Sequence, residues 1–251
     1  MTIVPAIDLR GGKCVRLLHG DPARETRYDD DPAERARRFV EAGATRLHVV
    51  DLDRAFGTGE NLAAVRAVCA AVDVEIQTSG GVRTREDVES RLDAGADYVV
   101  VGTMLVETPE LAAELVDEYK ERLIAGIDAR GLDVAVRGWQ GSTTIERDDL
   151  AWHVAEIGFD RIVFTEISRD GAGTGYDIAA LAHVARLVPV KITASGGART
   201  IDDLRALRDG VPPNVDSAIV GRALYEGTLD LASAIAELGD SPRVRRSAAE
   251  P

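Results

Sequence analysis

Two aspartates and two copies of one glycine turn are the residues of this chain whose types and spacing suit chemistry. Asp8 ends the apolar run Ile3-Val-Pro-Ala-Ile-Asp8 and Asp128 ends Leu123-Ile-Ala-Gly-Ile-Asp128, so each carboxylate stands at the C-terminal end of a predicted strand. Carboxylates paired in a closed site can be driven apart in pKa, one ionised as a base and one neutral as an acid. The turn reads Gln77-Thr-Ser-Gly-Gly-Val-Arg-Thr84 and returns, 116 residues later, as Thr193-Ala-Ser-Gly-Gly-Ala-Arg-Thr200. Paired glycines between a strand and a helix let backbone N–H groups approach a ligand, and the helix N-terminus behind them favours an anion. One copy alone reads as a tight turn; two copies read as a pair of phosphate cradles. Their predicted ligand carries a phosphate at each end and its reactive carbon between.

The elements that must position these residues alternate. Apolar strands at Ile3–Asp8, Arg46–Asp51, Val74–Ile76 and Tyr98–Gly102 are separated by helical patterns, and the plan repeats at Leu123–Asp128, Arg161–Glu166, Val188–Ile192 and Ala218–Gly221. Asp31-Pro-Ala-Glu34 supplies an N-cap, an N1 proline and an N3 acid, and Thr84 with Asp87 and Thr200 with Asp203 are capping pairs. Strands alternating with helices of about 10 to 13 residues mark parallel βαβ units. Asp8 to Gly102 and Asp128 to Gly221 span nearly equal lengths, so the expected fold is α/β, a single (βα)8 TIM barrel with an internal two-fold (βα)4 repeat. The barrel is expected over 1–240, with half-barrels at about 1–121 and 122–240 and a frayed tail at 241–251. An open doubly wound sheet would not explain why all four strands match between halves. In a barrel every strand's C-terminal end points to one face, so both aspartates and both cradles converge there.

Composition sets limits. A net charge of -13 argues against nucleic acid as a partner. No apolar run approaches the roughly 18 to 20 residues of a membrane span, and the first residues lack a basic, cleavable leader, so a cytoplasmic monomer is expected. Of the 30 basic residues only Lys13, Lys120 and Lys191 are lysines; the acidic, lysine-poor balance suggests adaptation to high salt, although a GC-rich coding sequence would also favour Arg over Lys. Cys14 and Cys69 lie in apolar patterns without metal-ligand spacing and read as buried thiols.

Longer motifs carry a resemblance. Val4-Pro-Ala-Ile-Asp-Leu-Arg-Gly-Gly-Lys-Cys-Val-Arg-Leu17, Gly126-Ile-Asp-Ala-Arg130, Arg137-Gly-Trp-Gln140, Ile167-Ser-Arg-Asp-Gly171 and Val220-Gly-Arg-Ala-Leu-Tyr225 together resemble the phosphoribosylformimino-5-aminoimidazole carboxamide ribotide isomerases of histidine biosynthesis, over about residues 2 to 238. The resemblance implies an Amadori rearrangement of a bisphosphorylated ribotide, without metal or redox cofactor. It makes Asp8 the base that removes the C2 proton and Asp128 the acid that opens the ring. It places Arg16 and Trp139 on mobile loops that clamp substrate, and His48, Thr165 and Asp170 at substrate contacts. Gly81 and Arg83 with Gly102 and Thr103 resemble one phosphate site, and Gly197 with Gly221 and Arg222 the other. Read from the residues alone, Arg16 is a solvated hairpin charge, Trp139 a loop anchor and His48 equally a core histidine. Glu166 departs from the family's usual Asp, and Ala172-Gly173 from its Thr-Leu, which leaves the details of loop six open. Three alternatives are weighed against this reading. The cyclase subunit of imidazole glycerol phosphate synthase shares the fold and both aspartates, but carries Lys at Arg16 and lacks a Gly-Trp after strand five. A bifunctional isomerase also acting on phosphoribosylanthranilate, and a non-catalytic barrel, are the others.

Overall fold

The structure, a computed structural model, describes residues 1–239. The tail expected to be frayed lies outside the described residues. Among the described residues twelve strands form one sheet: β1 (Thr2–Arg10), β2 (Lys13–Leu18), β3 (Asp21–Asp29), β4 (Arg46–Asp51), β5 (Glu75–Ser79), β6 (Tyr98–Val101), β7 (Leu123–Arg130), β8 (Asp133–Val136), β9 (Gly141–Glu146), β10 (Arg161–Glu166), β11 (Lys191–Ser195) and β12 (Val215–Val220). The helices are α1 (Pro32–Glu41), α2 (Leu52–Phe56), α3 (Leu62–Ala71), α4 (Arg85–Asp93), α5 (Thr103–Glu107), α6 (Pro109–Tyr119), α7 (Arg147–Glu156), α8 (Ile178–Leu187), α9 (Ile201–Gly210), α10 (Arg222–Tyr225) and α11 (Leu231–Leu238). Eight strands pair in parallel in the order β1, β4, β5, β6, β7, β10, β11, β12, and β12 pairs back on β1, which closes a (βα)8 barrel. The expected barrel and its eight strands are present.

The remaining four strands are two excursions that the sequence pattern reveals only in part. β2 and β3 continue antiparallel from the end of β1, and β8 and β9 do the same from the end of β7. Each half-barrel therefore extends its first strand into a hairpin over the mouth. Only Lys13–Leu18 is predictable from apolar content. Asp21-Pro-Ala-Arg-Glu-Thr-Arg-Tyr-Asp29 is mostly exposed and owes its strand form to pairing with β2 rather than to burial.

Period two along the strands decides what reaches the mouth. On β1, Ile3 and Ile7 pack outward in the large core between sheet and helices, whereas Val4 and Ala6 join Val100, Ile124, Val163 and Ile219 in a separate cluster inside the barrel. One more inward step from Val4 and Ala6 is Asp8. On β7 the same step runs from Ile124 through Gly126 to Asp128. The carboxylates are thus the top layer of a stack whose lower layers are aliphatic. Helix signals hold as well: the Asp31 side chain accepts from Ala33 and Glu34 N–H, and Thr84 and Asp87 form a capping box. At the opposite face Arg46 bonds Glu75, and Arg161 grips both oxygens of Asp216 at 2.5 and 2.7 Å. These pairs hold strand N-termini, away from the chemistry.

Candidate active site

Asp8, Arg16, His48, Gly81, Gly102, Thr103, Asp128, Trp139, Thr165 and Asp170 all line one cavity of ≈ 180 Å³ at the C-terminal mouth. Gly197, Gly221, Arg222 and Arg83 do not line it. Sequence reasoning overlooked Ser79 and Ser195, which end β5 and β11 and face the same space. Both belong to the duplicated turn, and period two from the strands would have found them. It also overlooked Phe56, on a helix of one turn, which carries too little periodicity to be read.

Asp8 is largely enclosed against Arg16, with the guanidinium Nη1 2.7 Å from the carboxylate. Burial pushes the Asp8 carboxyl up to about 6, against the opposing pull of Arg16 and with help from the negative charge of Asp170. Asp128 is also raised by burial, but hydrogen bonds from Trp139 and Thr165 favour its ionised form and limit the rise. Burial raises Asp170 too, while Arg16 and His19 pull it down. The expectation that the two aspartates differ therefore takes a particular form: one is balanced by a cation, the other by neutral donors. Arg16 is only 8% exposed, so the reading of a solvated charge is replaced by a buried ion pair.

His48 is hydrogen-bonded through both ring nitrogens and also lines the cavity. Gln77 Nε2 meets its Nδ1 at 2.9 Å and Ser79 Oγ meets Nε2 at 3.2 Å. Burial, with the nearby Arg16, lowers the imidazole to about 3, so His48 is neutral.

Packing against neighbouring loops gives the glycine turns a further requirement for glycine. Gly81 has φ 70° and a side chain there would run into the Arg54 carbonyl; Gly197 has φ 116° and would run into the Gly175 carbonyl. The missing side chains let each turn pack on the preceding βα loop. Arg83 bonds the Arg54 and Ala55 carbonyls at 3.3 and 2.9 Å, and Arg91 reaches Asp51 at 3.0 Å in a fully buried pair that also touches the Gly80 carbonyl. Arg222 donates to the Gly171 carbonyl and to Glu226, each at 2.6 Å. Both arginines expected at phosphates therefore brace neighbouring loops. The longer Glu166 side chain bonds the Gly131 N–H at 3.1 Å and Ser168 at 2.7 Å, tying loop six to the turn between β7 and β8.

Loop five lies across the mouth under strain. Arg137, Gly138 and Trp139 all have positive φ, of 56°, 64° and 68°. The left-handed region costs a non-glycine residue about 1 to 2 kcal/mol. Contacts on three sides offset it: Arg137 N–H donates to Thr103 Oγ1 at 2.9 Å, its Nε meets Glu107 at 2.6 Å, Gly138 abuts Phe56, and the Trp139 ring covers Gly20 of loop one.

The fold is a closed (βα)8 barrel with two largely enclosed carboxylates on opposite sides of its mouth, an arrangement suited to acid–base chemistry, and the chain belongs to the histidine biosynthesis protein family, whose sequence model matches residues 2–230. Curated relatives cover nearly its whole length. The 1-(5-phosphoribosyl)-5-((5-phosphoribosylamino)methylideneamino) imidazole-4-carboxamide isomerase of Methylococcus capsulatus is 44% identical over 239 residues, 94% of this chain and 98% of the relative. The isomerases of the same name from Acidithiobacillus ferrooxidans and Paracoccus denitrificans are 43% and 46% identical, over 94% and 95% of this chain and 99% and 100% of the relatives.

Proposed function

We infer that the protein catalyses the isomerisation named in its relatives, and that this is an aldose-to-ketose Amadori rearrangement in histidine biosynthesis, run by general acid–base catalysis. The observation that carries the mechanism is the placement of Asp8 and Asp128 at matching positions of the two half-barrels, inside one cavity. The carboxyl of Asp128 donates a proton to the ribose ring oxygen as the bond from that oxygen to C1 breaks, leaving C1 doubly bonded to nitrogen. Asp8 then removes the proton from C2, and the electron pair moves through the C1–C2 bond to nitrogen. The enaminol so formed loses its hydroxyl proton and gains one at C1, giving the aminoketose.

The environments suit these tasks. At about 6, Asp8 is mostly ionised at neutral pH and near the value at which a base works best. Trp139 leaving Asp128 to cover the substrate would remove a bond that favours the carboxylate, moving Asp128 toward the protonated acid. The phosphates of the substrate would sit at the Gly81, Gly102 and Thr103 end and at the Gly197 and Gly221 end. A bisphosphorylated ribotide needs more room than ≈ 180 Å³, below the roughly 300 to 1,000 Å³ of ordinary ligand sites, so loops one and five must move on binding. Incubating the purified protein with the aminoaldose bisphosphate and following the ketose tests the reading. Absence of ketose, with product formed only from ammonia and the rearranged bisphosphate, would make it the cyclase instead.

A further inference from the structure

Arg16 stands as a wall between two spaces. On one side is the catalytic cavity; on the other is a groove of ≈ 320 Å³ lined by Arg24, Glu25, Thr26, Tyr28 and Arg222, and Arg16 lines both. Its guanidinium lies so close to Gly221 that even a methyl group there would overlap it. Arg16 therefore fills the space beside the Gly221 Cα. The other arginine at that end, Arg222, is already bonded to Glu226 and Gly171. Arg16 has capacity to spare: its Nε is buried and meets no acceptor among the described residues.

We propose that Arg16 is the cation of the second phosphate site and reaches its phosphate by leaving Asp8, so that the arriving phosphate joins groove to cavity and frees the base. The inference rests on the bisphosphorylated substrate proposed above. A buried guanidinium can pair bidentately with a phosphate but not with Asp8 and a phosphate in full. Once the pair separates, Asp8 keeps its burial and the neighbouring Asp170 and loses the contact that favours its charge. It then binds a proton more strongly and is a stronger base toward C2. The groups within reach of Asp8 are Arg16 on β2, Asp170 on loop six, Cys14 on β2 and Tyr225 on α10, and burial keeps the Cys14 thiol and the Tyr225 phenol neutral.

Sulfate, which does not titrate near neutral pH, is the probe. Isothermal titration calorimetry near pH 6.5 in two buffers of different ionisation heat gives both affinity and protons exchanged, with no turnover required. If sulfate draws Arg16 away and Asp8 moves from about 6 to roughly 7, wild type takes up about half a proton per site. Asp8→Asn should bind sulfate with no uptake. Arg16→Gln should bind at least about tenfold more weakly, and Arg16→Lys should recover part of the loss. Circular dichroism separates these effects from misfolding, and the wild-type and Arg16→Lys arms stand if Arg16→Gln fails to fold. No uptake by wild type, or equal uptake by Asp8→Asn, would overturn the coupling. Sulfate binding that survives Arg16→Gln but is lost in Arg222→Gln would return the site to Arg222. Because sulfate binding is independent of the reaction, a failed isomerase assay would leave this result standing.

Discussion

Replacing Asp8 with asparagine should make the folded protein gain stability relative to wild type as pH rises toward neutral, even as it removes the base. The folded state holds the Asp8 proton up to about 6, whereas the unfolded chain gives it up near the ordinary 3.8. Between those values the folded form binds more protons, so stability from this group falls as pH rises and levels off above about 6. At roughly 1.4 kcal/mol per pKa unit, the ionised carboxylate costs wild type about 2.5 kcal/mol more near pH 7.5 than near pH 4. An Asp8→Asn variant does not incur that cost. The amide also loses its ionic contact with Arg16, and breaking a buried pair costs about 3 to 5 kcal/mol, but that loss shifts the difference between the proteins rather than its slope with pH. The measurement is urea unfolding of both proteins from about pH 4 to pH 7.5, at low protein concentration because the isoelectric point near 4.8 lies inside the range. Relative to wild type, the variant should gain about 2.5 kcal/mol over the interval, equivalent to roughly 5 to 10 °C in melting temperature for a chain of this size. A constant difference, or one that turns against the variant as pH rises, would mean that Arg16 dominates and the carboxyl is not raised.

Asp8→Asn and Asp128→Asn should each lower turnover at least about a hundredfold; in deuterated solvent Asp128→Asn should still exchange the C2 proton when the ring opens spontaneously and Asp8→Asn should not, and the reverse pattern would exchange their roles. Phosphoribosylanthranilate should be turned over negligibly, because the Arg137 side chain, two residues before Trp139, is paired with Glu107; turnover within about tenfold of the ribotide would show that loop five is read wrongly. Between about 0.1 and 2 M KCl the melting temperature should rise as salt screens the net charge of -13, and a flat or falling trend would remove the case for salt adaptation.

The sequence by itself determined the barrel and its two-fold plan, because burial on both faces of parallel strands writes apolar runs and helix caps that local rules can read. It also fixed the level of Asp8 and Asp128, since period two carries each one step above a buried aliphatic layer, and the same rule applied to the duplicated turn contains Ser79 and Ser195. Tertiary structure decided what local pattern does not encode. β3 and β9 are strands because a neighbour pairs with them, and their polar, exposed residues leave no burial signal. Which arginine meets which partner depended on distances across the chain: Arg16 closes on Asp8, while Arg83 and Arg222 turn to backbone carbonyls of adjoining loops. A guanidinium can reach several acceptors from one position, so its partner is set by the three-dimensional arrangement of loops rather than by the residues beside it in sequence.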